Sequence, residues 1–356
     1  MRPNINAHGR NTIHCKPRPC RRDAQREPFS PSCPLQARSC VRPDGAAAVP
    51  NLVAGMSLHL EQGPAPRAVD LSALRIGFIG AGRLGKALAW CLAERGMHIA
   101  AVASPSRASA EALAANVLGC LVASPQETVD ACDLVFITTP DGVIANTAGS
   151  LRWRAGVAAV HCSGATEISA LDKAARDGAM TGGFHPMQTF GNPAAAALSL
   201  PGCTITIEAH EPLNATLLAL ARRLGCNVNR LPPGMRARYH AAAGFTSQFL
   251  NVLFREASDI WRSWGATEEE AVRALLPLAR GTLASIESSG VAVGMPGPVS
   301  RGDVQTVHKH VDALTALDAE ALQLYRSLCE RTVRLALERG AFDAATAARF
   351  REALRG

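Results

Sequence analysis

"ALRIGFIGAGRLGKALAWCLAERG", residues 73–96, holds the reading on which the fold turns. A short apolar run ends at Ile79, Gly80-Ala-Gly82-Arg83-Leu84-Gly85 follows, and an alanine-rich stretch closes at Gly96. Between a strand and a helix the three glycines serve different ends, namely a tight turn, close approach of backbone to a pyrophosphate, and packing of helix on strand. The free amides of the helix start then point at the phosphates. The pattern predicts a dinucleotide-binding unit with Gly80, Gly82, Arg83, Leu84 and Gly85 at the cofactor; a glycine-rich turn without a ligand is the plain alternative.

Downstream the strand pattern repeats. "HIAAVAS" ends in Ser104-Pro105-Ser106-Arg107, about 20 residues past the glycines, where folds of this kind that prefer NAD carry an acid for the ribose 2′-hydroxyl. No acid stands there, and serines followed by an arginine suit a 2′-phosphate, so Ser104, Ser106 and Arg107 favour NADP over NAD. Arg107 as a solvated loop residue is the other reading. "DLVFITTPDGVI" brings Thr139 and Pro140, and "GVAAVHCSGA" brings Ser163, to the carboxyl ends of two further strands, the edge where ligands lie in open α/β sheets. "GAMTGGFHPMQTF" should reach the same edge, gathering His185, Gln188 and Thr189 beside the nicotinamide, although a core histidine satisfied by a carbonyl reads as well.

From Arg236 the chain turns helical. "ATEEEAVRALLPLARGTLASI" starts at a Thr cap with acids in the first turn, and "DAEALQLYRSLCERTVRLALERG" and "DAATAARFREAL" start at Asp caps. "RARYHAAAGFTSQFLNVLFREASDIW" reads as one helix whose His240, Gly244, Ser247 and Asn251 form a polar stripe, with Gln248 beside it. An unpaired buried polar group costs about 1–3 kcal/mol, so the stripe faces either a neighbouring helix or a ligand. In "GMPGPVSRGDVQTVHKH", Asp303 should cap the next helix, and Arg301 is either a salt-bridge partner or a clamp for a substrate carboxylate.

Length and composition bound the rest. At 356 residues the chain predicts an α/β N-terminal domain with a doubly wound, mostly parallel sheet over 71–207, then an all-α C-terminal domain over 208–356. Residues 1–70 form a basic, Pro- and Ser-rich head expected to be disordered, a leader or a non-native extension, with Met56 as a possible true start. Residues 1–55 hold nine basic and three acidic residues and the remainder 28 and 27, so a net +7 gives the body no basic stripe for nucleic acid. No apolar run is long enough to span a membrane. Isolated body cysteines read as reduced core residues of a cytoplasmic protein, and the head cysteines lack zinc spacing, so no metal is expected.

"GFIGAGRLG", "TTPD", "HCSGA", "HPMQTF", "YHAAA" and "GPVSRGD", in that order over roughly 73–350, resemble the motifs of Rossmann-like dinucleotide-binding proteins with a C-terminal helical domain of unknown function (domain of unknown function family 2520). These are related to pyrroline-5-carboxylate reductase and to the 6-phosphogluconate dehydrogenase superfamily. The resemblance implies an NADP-dependent reductase with its cleft between the domains and a homodimer built through the helical domain. Two positions depart from it: Ser247-Gln248 replaces Ser-Asn, and Arg236 stands where a lysine is usual, four residues before His240.

Of the four lysines, only Lys309 could serve as a general acid in a helical cleft. His240 is therefore expected to donate or orient the proton as hydride passes to a small carbonyl or imine acid, in the manner of a ketopantoate or pyrroline-carboxylate reductase. Ser247 would assist, His185 is the second choice, and Arg301, with Asp303, Gln188, Thr189 and Gln248, would hold the acidic substrate. The rival reading keeps NADP and drops catalysis, leaving a sensor or scaffold; a methyltransferase is disfavoured by the third glycine and the helical appendage.

Overall fold

The structure, a computed structural model, describes residues 69–356, so the expectations for the head lie outside the described residues. In chain order the first half runs β1 (Arg75–Ile79), α1 (Arg83–Glu94), β2 (His98–Ala103), α2 (Arg107–Ala114), β3 (Leu121–Val122), α3 (Pro125–Ala131), β4 (Leu134–Ile137), α4 (Ile144–Gly149), β5 (Ala158–His161), α5 (Asp172–Arg176) and β6 (Met180–Met187). Then come α6 (Pro193–Ser199), β7 (Thr204–Ala209), α7 (Leu213–Arg223) and β8 (Asn227–Arg230). The remainder is helical: α8 (Arg236–Phe245), α9 (Gln248–Arg262), α10 (Glu268–Val293), α11 (Val304–Thr315), α12 (Ala319–Glu338) and α13 (Ala344–Arg355).

The eight strands form one sheet in the order β3-β2-β1-β4-β5-β6-β7-β8. Every neighbouring pair is parallel except β6 and β7. The near-continuous apolar strands follow from burial on both faces. Ile76, Phe78, Leu134, Phe136, Ala158 and Val160 point into a core shared with α1, α2, α6 and α7. The residues between them, such as Val135, Ile137 and Ala159, point into a second core under α3, α4 and α5. Phe78 on β1 meets Phe136 on the neighbouring β4, and Phe136 meets Phe184 on β6 across the intervening β5, as tilted ring pairs with centroids 5.3 and 5.4 Å apart.

The expected domain boundary at 207/208 is corrected. It falls inside β7, and the sheet continues through β8 to Arg230, so the helical part begins at Arg236. "NVNR" carries no apolar alternation because β8 is an edge strand held by backbone pairing, which leaves little signal in side-chain pattern.

The helical part divides in two. Helices α11–α13 enclose their own core around Val307, Val333, Ala347 and Phe350. Asp303, Asp318 and Asp343 cap these helices through their side chains, as expected. Helices α9 and α10 pack on each other but bury only Ser258 and Ala271. Thr267 closes a capping box with Glu270 at the start of α10, which runs about 33 Å before its backbone breaks at Gly290 (φ +79°, ψ 168°). Phe245, Phe249, Leu253, Leu278, Leu283 and Val293 are exposed along this hairpin. No helix among the described residues is long and apolar enough to cross a membrane.

The single long helix expected from Arg236 is also corrected. It breaks after Phe245, with Ser247 at φ −128°, ψ −88° between α8 and α9. Thr246 and Ser247 each turn a hydroxyl back onto the carbonyl of Ala243, a competing interaction that weakens a helix from within.

Candidate active site

The glycine turn has the tight bend and the close helix packing expected from its spacing, and its middle glycine is open. Gly80 sits at φ +113°, and a Cβ there would lie 2.7 Å from the Thr138 carbonyl carbon at the end of β4. A Cβ on Gly85 would collide with the Gly80 carbonyl oxygen, so α1 packs closely against the turn. A Cβ on Gly82 would meet nothing within 4 Å; this glycine faces open space, where backbone can approach a ligand. Gly82 is also the N-cap of α1 with no side-chain bond to the first-turn amides. Thr139, next along the same edge, has a buried hydroxyl without a hydrogen-bond partner among the described residues. Bare helix amides, an open glycine and an orphaned hydroxyl on one edge fit a dinucleotide. Arg83 is exposed and Leu84 is half-buried against the core.

At the end of β2, Ser106 caps α2 and Arg107 bonds Glu111 at 2.8 Å in an exposed pair. Such a pair is worth under about 1 kcal/mol, so it leaves Arg107 able to exchange partners. Ser163 is more committed: its hydroxyl accepts from the amides of Ala165 and Thr166 and closes the turn after β5.

The histidines gather where β6 outruns its neighbour. Strand β5 pairs with β6 only as far as Gly183, so His185 stands beyond the end of β5, paired on its other side with Thr206 of β7. Above it, α8 places Arg236, Tyr239 and His240 at i, i+3 and i+4, one face of one helical turn. His185 Nδ1 lies 2.7 Å from the Tyr239 hydroxyl. The rings of His185 and His240 stand edge to face with centroids 6.0 Å apart. Both close around Gly164, where a Cβ would come within 2.9 Å of His185 Nε2 and against His240 Cδ2. His240 is exposed to the crevice.

The helix is held down by Arg236, which is fully buried. Its Nε donates to Glu208 Oε2 at 2.6 Å and its Nη1 to the Ser163 carbonyl at 2.8 Å. The guanidinium lies over Gly183, where any side chain would overlap it. Burial first, and then the Arg236 charge, push the His161 pKa down to about 3. Burial, then His240 and Arg236, push His185 down to about 4. Both imidazoles are therefore neutral near pH 7.

Other expected residues are placed elsewhere or already engaged. Gln188 accepts from the Thr189 amide at 2.8 Å and donates to the Ser199 carbonyl, so the two order the loop after β6. Ser247 donates to Ala243, and the Gln248 amide lies against Gly244. Asp303 bonds the amide and hydroxyl of Thr306 as the cap of α11. Arg301, exposed in the turn before it, makes no side-chain hydrogen bond or ion pair among the described residues. Pro140 is exposed and precedes a short 3₁₀ turn at Asp141–Val143. No cluster of three or more His, Cys, Asp or Glu suited to a metal occurs among the described residues. Sequence reasoning missed Tyr239, Glu208, Gly164 and Gly183; the i, i+3, i+4 spacing of Arg236, Tyr239 and His240 held the available signal.

Fold and edge together define the class: a Rossmann-like dinucleotide-binding domain followed by a helical domain. Comparison with known families agrees, since the Rossmann-like domain model matches residues 60–186 and that of the Domain of unknown function (DUF2520) matches residues 203–332. The chain thus carries a stretch that matches a Rossmann-like domain followed by one that matches the DUF2520 domain. No curated protein matches it in sequence. Among solved structures it resembles a candidate NADP oxidoreductase from Bacteroides fragilis at 24% identity and TM-score 0.59, covering 74% of this chain and 100% of that one. A protein from Thermotoga maritima aligns at 22% and 0.60, covering 74% and 99%. A reductive aminase from Aspergillus terreus in complex with NADPH and ethyl-5-oxohexanoate aligns at 19% and 0.56, covering 77% and 98%. At these identities the likeness is one of fold.

Two outcomes follow from the site's charges. Arg236→Ala leaves Glu208 buried without its partner and should cost about 3–5 kcal/mol, read as a lowered denaturant midpoint. Lowering pH from 6.5 towards 4 should destabilise the protein, because the unfolded chain binds protons on His161 and His185 that the folded chain refuses. The slope is about 1.4 kcal/mol per pH unit for each group, and thermal melts of His161→Asn should show a shallower decline.

Proposed function

We propose that the crevice above Gly164 is the active site of an NADP-dependent reductase acting on a small acid that carries a carbonyl or imine. The observation that carries this reading is the pairing of a neutral, half-buried imidazole with an exposed one on the same strand edge as the phosphate-binding turn. When bound there, the dinucleotide supplies the hydride. Gly80, Gly82, Arg83, Leu84 and Gly85 take its pyrophosphate, Thr139, Pro140 and Ser163 line its path, and Ser104, Ser106 and Arg107 take the 2′-phosphate. NADP rather than NAD is supported by the absence of an acid at the end of β2 and by the weak Arg107–Glu111 pair.

Neutral His185 suits hydrogen bonding to the oxygen or nitrogen of the group being reduced, and solvent-facing His240 suits delivery of the proton. Arg301, the unpaired exposed guanidinium, is assigned to the substrate's acid group. Ser247, Gln188, Thr189, Gln248 and Asp303 are assigned supporting roles, since their side chains are engaged in local bonds. A sensor that binds NADP without turnover is the rival, and the name of the Aspergillus reductase, with its NADPH complex, favours catalysis. Purified protein supplied with NADPH or NADH and a panel of 2-oxo acids and cyclic imines should oxidise NADPH preferentially. His240→Ala should lower kcat by roughly 100-fold; an unchanged rate removes this histidine from the chemistry, and tight NADPH binding without turnover supports the sensor.

The same reading includes a homodimer through the helical domain. The exposed apolar residues along α9 and α10 support it, since a face of this kind rarely stays in water. Light scattering should give twice the chain mass, and Leu278→Asp with Leu283→Asp should shift it towards one chain; a wild-type monomer overturns the assignment.

A further inference from the structure

His185 is the inner member of the histidine pair, and what it offers to a ligand depends on which ring nitrogen carries its proton. Three side chains from three elements bear on that choice. Asn229, on edge strand β8, donates its amide Nδ2–H to Thr206 Oγ1 at 3.1 Å. An amide NH₂ can only donate, so Thr206 is the acceptor there and its own hydroxyl proton remains to be placed. Thr206 is fully buried, directly opposite His185 in the β6–β7 ladder, and its hydroxyl is a polar neighbour of the Tyr239 phenol, acting to favour the ionised phenol as a donor would. Tyr239 Oη in turn lies 2.7 Å from His185 Nδ1, with the two rings perpendicular. With Asn229 donating to it, Thr206 keeps its own hydroxyl proton free to offer to the neighbouring phenol, and the phenol in turn keeps its proton free for the imidazole.

We propose that Tyr239 is a positioning residue that donates its phenolic proton to His185 Nδ1 and so fixes that imidazole as the Nε2–H tautomer, with the N–H presented to the crevice over Gly164. Gly164 makes the presentation possible, because a side chain there would cover Nε2. The groups facing the ring are Arg236, Tyr239 and His240 from α8, Asp141 beyond β4, His161 of β5 and Thr206 of β7. Asp141 alone among them favours a protonated ring, and burial together with His240 and Arg236 outweighs it. The ring thus stays neutral while its outward nitrogen remains a donor, which is the form able to polarise a carbonyl or imine without giving up a proton. Use of that N–H on a substrate rests on the reductase reading above; the tautomer itself is a property of the ligand-free protein and stands or falls separately.

Long-range 1H–15N correlation spectra of the full chain, labelled with 15N-histidine and assigned by comparison with His185→Asn, read the tautomer without any substrate. The expected result is a bare Nδ1 and a protonated Nε2 on His185, unchanged between about pH 5.5 and 8, a window above the value near 4 set by its surroundings. Tyr239→Phe should convert this to a mixture of tautomers while NADPH affinity, measured by fluorescence, stays within about twofold. A protonated Nδ1 in the wild-type protein overturns the proposal, as does an unaltered His185 signal in folded Tyr239→Phe. The wild-type spectrum alone suffices if a variant does not fold, and loss of turnover with a fixed Nε2–H tautomer would count against the reductase reading only.

Discussion

The buried contact between Arg236 and Glu208 over Gly183 is the constraint on which the site depends. It ties the first turn of the helical part to the antiparallel strand β7, and a second bond, to the Ser163 carbonyl, ties it to the turn after β5. Taking both charges out of water costs several kcal/mol, so the pair contributes little net stability even with good geometry. What it contributes is an address. With Arg236 fixed, the helical repeat sets Tyr239 and His240 above His185 to within a fraction of a turn, and a slip of one residue would carry them to another face. The remaining Nη2 is buried without a hydrogen-bond partner among the described residues. A lysine at this position could not make the same fork of bonds to two acceptors, so the arginine is a different solution, not a conservative one.

The sheet half was legible because its signals are local. Strand, glycine turn and helix follow one another within 24 residues, and the strands at 134–137 and 158–161 are short apolar runs ended by polar tips. The helical half was legible in its capped helices and not at the break near Ser247. Apolar spacing continues through that break, while the hydroxyls that end α8 act on the backbone and leave no mark on periodicity. The place of β8 in the sheet is hidden for a related reason: an edge strand is defined by ladder bonds, and its composition reports mainly its exposure.

Site residues divided along the same line. Positions set by backbone geometry, such as the turn at Gly80 and the helix contact at Gly85, could be read from spacing alone. Gln188 and Thr189 were expected at the crevice because they follow His185, but they lie beyond the strand, where alternation ends and each bonds the other. Tyr239 and Glu208 were missed because their importance comes from contacts across 54 and 28 residues, which a single sequence does not display. His240 was found through its place in a polar stripe, although the stripe itself is cut two residues after Phe245.

The two histidines differ in the one respect that matters for their chemistry. His240 looks out to solvent, where protons are exchanged freely, while His185 is half-buried beside a permanent cation and another imidazole. Because Arg236 must stay charged to hold Glu208, the strand edge beneath it tolerates no second buried positive charge, and both His161 and His185 are held neutral for that reason as well as by burial. The interaction that positions the helix therefore also sets the protonation state of the groups below it. A change at Arg236 cannot be confined to packing: whatever removes the guanidinium also releases two imidazoles towards their ordinary pKa, and geometry and charge at this edge rise or fall together.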